Sequence, residues 1–155
     1  MSNKPEIQSA NESYAASFEK GDLPMPPGRR FAVVTCMDAR LDPAKFLGLD
    51  EGDAHVIRNA GGLVTDDALR SLVISHNLLG TEEVFVIGHT DCGMLTFTDE
   101  EVQEKLGTDM EFHAFSDLDE AVKKSVGRVR ESQLTADAVH GYVYECESGR
   151  LREVA

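Results

Sequence analysis

The 155-residue sequence has no tryptophan, and aromatic residues make up only 6% of it. Any apolar wall around a ligand must therefore come from Phe, Tyr or aliphatic side chains. No apolar run approaches the roughly 20 residues that a bilayer-spanning helix needs. The polar stretch from Met1 to Lys20 also lacks the apolar core of a secretory signal. The expectation is a cytoplasmic protein with no membrane partner. Positive charge is scarce: 15 Lys and Arg face 28 Asp and Glu, for a formal net charge of −13. Such a surface repels phosphate backbones and anionic lipid, and no Lys/Arg stripe offsets it, so nucleic acid is not an expected partner. The acidity itself serves solubility. Cysteine is sparse too. Cys36, Cys92 and Cys146 are odd in number and widely spaced, which argues against a disulfide framework. They remain as buried thiols, metal ligands or a reactive thiol.

The composition that is present, 41% apolar and 28% charged, suits one soluble domain with a hydrophobic core. From Asn11 to Lys20, Tyr14 and Phe18 lie four apart, the spacing of a short amphipathic helix. Pro24, Pro26 and Pro27 then impose an extended crossing. Residues 1–30 thus read as a helix and arm of the same domain, suited to packing on a partner subunit. Residues 31–155 read as an α/β domain. FAVVT (31–35), AHVIR (54–58), EVFVIG (83–88) and GYVYEC (141–146) read as strands, with RLREV as a short return strand. Thr65 caps a helix with Leu69, Leu72, Val73, His76 and Leu79 on one face and Gly80 as its stop. Thr98 with Glu101 forms a capping box, and a helix from a Ser116 cap carries Leu118, Val122, Val126 and Val129. Strands alternating with helices predict a single domain with a mostly parallel central sheet flanked by helices, a C-terminal strand pair and an N-terminal helical arm.

In open parallel sheets, ligands bind beyond the carboxyl ends of the strands. Three such exits carry chemistry here: Cys36, Asp38 and Arg40; then Arg58 and Asn59; then His89 and Cys92. Two thiolates and an imidazole are typical zinc ligands that leave a fourth position open. A lone His-x-x-Cys pair is equally well read as small buried residues, so the spacing alone leaves both readings open. Cys146, on the last strand, reads as a core or edge thiol without a ligand partner. His76 reads as packed, and His55, His113 and His140 have no motif.

CMDAR (36–40), HVIRNAGG (55–62) and GHTDCG (88–93), in this order at strand exits, resemble the β-class carbonic anhydrases. The resemblance is close over residues 31–95 and marks the chain as a short, minimal member. It implies one zinc per chain held by Cys36, His89 and Cys92, with Asp38 and Arg40 as the catalytic dyad. Arg58, Asn59, Gly61 and Gly93 fall in the matched segments as substrate-pocket or structural residues. Arg58 is expected to brace the loops. The implied reaction is reversible hydration of carbon dioxide to bicarbonate and a proton by zinc-bound hydroxide, which Asp38 orients. In a closed form, Asp38 would be a fourth zinc ligand. The resemblance also implies a homodimer or homotetramer.

The absent Trp and the Gly93-Met94 pair, where many members have two glycines, put the pocket lining outside the common pattern. A carbonyl sulfide or carbon disulfide hydrolase on the same fold is the nearer alternative. A non-enzymatic zinc or thiol sensor is the remote one.

Overall fold

The computed structural model describes residues 1–155. In chain order its elements are α1 (Lys4–Ala16), β1 (Phe31–Cys36), α2 (Pro43–Leu47), β2 (Ala54–Asn59), α3 (Asp66–Leu79), β3 (Glu83–His89), α4 (Asp99–Leu106), α5 (Leu118–Glu131), β4 (Ala138–Tyr144) and β5 (Leu151–Glu153). The five strands form one sheet in the order β2-β1-β3-β4-β5. Four run parallel, and β5 returns antiparallel to β4 after a turn. This is the expected single α/β domain.

The sheet is asymmetric in its cover. Ala32, Val34, Val84, Val86, Val139 and Val143 point to the face that α3 and α5 close with Leu72, Val122, Val126 and Val129. The other face, with Phe31, Val33 and Ile87, is covered by Phe46 and Leu47 of α2 and by Leu49 just after it. Every residue of β1 is buried, which is why its sequence is a continuous apolar run rather than an alternation. The register levels Thr35 with Ile87 and Cys36 with Asn59. Neighbouring strands therefore run out together, and their exit loops converge.

Helix boundaries follow local chemistry. Thr65 caps α3 by accepting from the Ala68 N–H, and Gly80 ends it in the left-handed conformation. The Thr98–Glu101 capping box on α4 forms in full. Three expected boundaries shift. The N-terminal helix covers Lys4–Ala16 rather than Asn11–Lys20, because Pro5 in its first turn suits a helix start; Phe18 lies beyond its end. The cap of α5 is Asp117, not Ser116, its side chain accepting from the Glu120 N–H at 3.1 Å. Strand β4 starts three residues before Gly141 and stops at Tyr144, ahead of Cys146. Gly141 is not a strand boundary but a contact point. A Cβ there would stand 2.9 Å from Val126 Cγ2, so α5 can lie this close to the sheet only over a glycine.

Residues 107–117 form no helix or strand. They are pinned by Asp99, whose carboxylate accepts from the backbone N–H groups of Phe112, His113 and Ala114 at 2.8–3.0 Å. The Phe115 N–H closes on the Met94 carbonyl at 3.3 Å, which sets this segment over the strand exits.

Candidate metal centre

Cys36 is the last residue of β1 and His89 the last of β3; Cys92 follows three residues later, before a single 3-10 turn at Gly93–Leu95. All three side chains are buried, His89 completely. Their ligand atoms all lie within 4.8 Å of one another. The structure thus gathers Cys36 from one strand exit with His89 and Cys92 from another.

The ring of His89 is fixed by its other nitrogen. Nδ1 lies 2.8 Å from the Thr90 carbonyl, which accepts its proton and leaves the Nε2 lone pair free. Nε2 is buried and has no hydrogen-bond partner. A buried polar atom left in this way costs about 1–3 kcal/mol. It faces two sulfurs, a donor set that suits zinc. The residues present therefore fit such an ion. The two sulfurs are not alike. The Cys92 thiol donates to the Cys36 sulfur, and the Gly61 N–H approaches the same sulfur at 3.4 Å. Cys92 foremost, with His89 and the Asp38 and Gly61 backbone, holds the Cys36 thiol below its ordinary value despite its burial, while the shared contact pushes the Cys92 thiol up.

Asp38 stands at the edge of the cluster, its Oδ2 3.8 Å from His89 Nε2. It is turned towards Arg40, whose Nε and Nη2 donate to Oδ1 and Oδ2 at 3.0 and 2.8 Å. The Arg40 backbone N–H adds a third bond to Oδ1 at 2.9 Å. This fork keeps the Asp38 carboxyl well below the usual carboxylate range, ionised at any ordinary pH.

The other matched residues shape the loops. Arg58 donates to the carbonyls of Cys36, Asp38 and Leu41 at 2.8–3.2 Å, which braces the segment between the metal ligand and the dyad. The Asn59 side chain exchanges two hydrogen bonds with the Leu63 backbone and closes the next turn. Gly61 and Gly62 both adopt positive φ. A Cβ at Gly62 would lie 2.9 Å from the Cys36 nitrogen, so the loop can reach the end of β1 only as glycine. Gly93 meets no such demand: a Cβ there would touch nothing within 4 Å.

Two neighbours escaped the sequence. Cys146 does not stand apart from the ligands: its Sγ lies 3.5 Å from His89 Nδ1 and 3.2 Å from the Thr90 carbonyl. The signal was available in the topology, because β4 runs parallel beside β3 and its exit must arrive at the same edge. Asp91 bonds to Arg40, although nothing in the sequence sets it apart from other acidic loop residues. The remaining histidines lie elsewhere. His55 pairs with Ser75, His76 with the Thr81 carbonyl and His140 with Glu83.

The chain is similar to known proteins in sequence and in fold. A family model described as carbonic anhydrase matches residues 31–138. The chain is 46% identical over 152 residues to β-carbonic anhydrase 1 of Mycobacterium tuberculosis, covering 93% of each chain. It is 38% identical over 174 residues to a carbon disulfide hydrolase of an Acidianus strain, covering 92% of this chain and 84% of the relative. A solved carbonic anhydrase from Glaciozyma antarctica superposes with a TM-score of 0.92 over the full length of both chains, at 46% identity.

Proposed function

This chain belongs to the β-carbonic anhydrase family, whose activity is that of a lyase, and on that premise we propose that it hydrates carbon dioxide reversibly to bicarbonate and a proton. One zinc ion per chain would be held by Cys36, His89 and Cys92, with Asp38 and Arg40 as the working dyad. The observation that carries this reading is the Asp38 carboxylate. It is ionised by Arg40 and poised 3.8 Å from the unpartnered His89 Nε2 without joining the ligand cluster. A site built only to hold a metal needs no such pair, which speaks against the sensor reading.

When bound, the ion supplies Lewis acidity that lowers the pKa of a water in contact with it. Everything else is done by side chains. Asp38 accepts a hydrogen bond from the attacking water and turns a lone pair towards the carbon of the substrate. Arg40 keeps Asp38 charged and turned away from the ligands. Arg58 and Asn59 hold the two loops in register around it, and the Gly61 N–H steadies the Cys36 thiolate.

The kinship with the Acidianus enzyme favours one second reading, hydrolysis of carbon disulfide or carbonyl sulfide at the same dyad. Assay of the purified, zinc-loaded protein with each substrate separates the two. Carbon dioxide is expected to turn over and the sulfur compounds to turn over far more slowly.

The protein is also proposed to act as a homodimer or homotetramer in the cytoplasm. No helix is long and apolar enough to cross a membrane. None of the α1 residues is buried, and Ile7 and Tyr14 are exposed apolar side chains, Tyr14 with Phe18 beside it. In an assembly closed by two-fold symmetry, residues 1–30 would lie on the neighbouring subunit. Sedimentation is expected to show a species of at least twice 17.0 kDa.

A further inference from the structure

Arg40 does not hold Asp38 from a fixed base. Its guanidinium is half exposed on a flexible stem, and its bonds to Asp38, with that of its own backbone N–H, tie the carboxylate only to the loop after β1. The opposite edge of the fork is occupied. Arg40 Nη1 donates to Asp91 Oδ2 at 2.7 Å, and Nη2 donates to the Asp91 carbonyl at 2.9 Å. Four contacts thus tie one guanidinium to two acidic residues. Asp91 lies in the turn between His89 and Cys92 and has φ +55, the left-handed region that Asp tolerates better than most residues. That conformation aims its carbonyl and its carboxylate at the same arginine.

We propose that Asp91 is a positioning residue: through Arg40 it fixes the Asp38 carboxylate relative to the loop that carries two of the three metal ligands. This rests on the reaction assigned above. Asp91 bonds to Arg40 and not to Asp38; it extends a pair held within the loop after β1 into a three-residue clamp spanning the exits of β1 and β3. Nothing in the sequence motif requires an acid at this place, because Asp91 contributes no ligand.

The test uses the zinc-loaded protein and two variants, Asp91→Gly and Asp91→Asn, each made in the wild-type and Arg40→Ala backgrounds. Glycine relaxes the positive φ, so a defect cannot come from backbone strain. In the wild-type background Asp91→Gly should lower kcat for carbon dioxide about three- to fivefold with KM and zinc content unchanged, the upper range for an exposed ion pair. Asp91→Asn, which keeps an acceptor oxygen, should lose less. In the Arg40→Ala background neither variant should cause a further fall. Exchange of the Arg40 Nε–H with solvent, followed by NMR, should speed up in Asp91→Gly; it reads the clamp without any turnover. Full kcat in Asp91→Gly, an equal fall in both backgrounds, or unchanged Nε–H exchange would each overturn the proposal. A wild-type protein that hydrates no carbon dioxide would instead overturn the assigned reaction, while the exchange measurement still decides the clamp.

Discussion

Two histidine–carboxylate pairs stand on the same sheet and have opposite fates. Near the amino ends of β3 and β4, His140 Nε2 meets Glu83 at 2.8 Å, with both side chains more than a third exposed. That pair is open to solvent, and the ring stacks on Phe85. At the carboxyl ends, His89 is wholly buried, and its Nε2 stops 3.8 Å short of Asp38. Asp38 is engaged by Arg40 instead, and Nε2 is left facing two sulfurs. Both join an imidazole to a carboxylate. What differs is burial without a satisfied partner, and that difference separates a solvated contact from a binding site.

The comparison breaks most severely at the ligands. Cys36→Ser should abolish stoichiometric zinc binding, read by elemental analysis. It should also lower thermal stability, because the ligands join two strands. Full zinc content in that variant would remove Cys36 from the ligand set. A smaller effect is expected where the backbone itself makes the buried end possible. Gly62→Ala places a Cβ against the Cys36 nitrogen at φ +64 and should cost about 2 kcal/mol, lowering Tm by roughly 5 °C in a scanning calorimeter.

A change in Asp99 should act on one segment only. Three backbone N–H groups, that of Ala114 foremost, hold its carboxyl below the ordinary carboxylate value. A depressed carboxylate stabilises above its unfolded pKa and loses that contribution as pH falls through the folded one. Protection of the Phe112, His113 and Ala114 amides, taken against their intrinsic exchange rates, should therefore fall in Asp99→Asn at neutral pH, and in the wild type only at acid pH. The same amides exchanging at wild-type rates in the variant would show that the loop is held by other contacts. The least effect is expected at the surface pair. Glu83→Gln should leave carbon dioxide hydration within about twofold and Tm within about 2 °C. A large loss there would mean that the two ends of the sheet are coupled.

Much of this was legible in the chain. Continuous β-branched runs marked β1 and β3 because buried strands need no polar alternation. Thr65 and Thr98 announced two helix starts because a capping hydroxyl three residues ahead of a free N–H acts locally. The convergence of Cys36, His89 and Cys92 was readable because parallel strands with short exits must deliver their ends to one edge. What escaped depends on tertiary neighbours. Gly141 resembled a boundary until α5 lay upon it, and Cys146 resembled a lone thiol until β4 brought it beside His89. Pro5 set the start of α1 against a stronger-looking amphipathic pattern further on. Asp91 carries no local signal at all, since its partner lies 51 residues away.

The central claim is that Asp38 acts on the substrate's water and does not hold the metal. Its most direct test is stopped-flow hydration of carbon dioxide by Asp38→Ala, with zinc measured on the same sample. The variant should keep its full zinc content and turn over more slowly by roughly two or more powers of ten, the scale of a positioned acid–base group. Near-normal hydration by the zinc-loaded variant would contradict it.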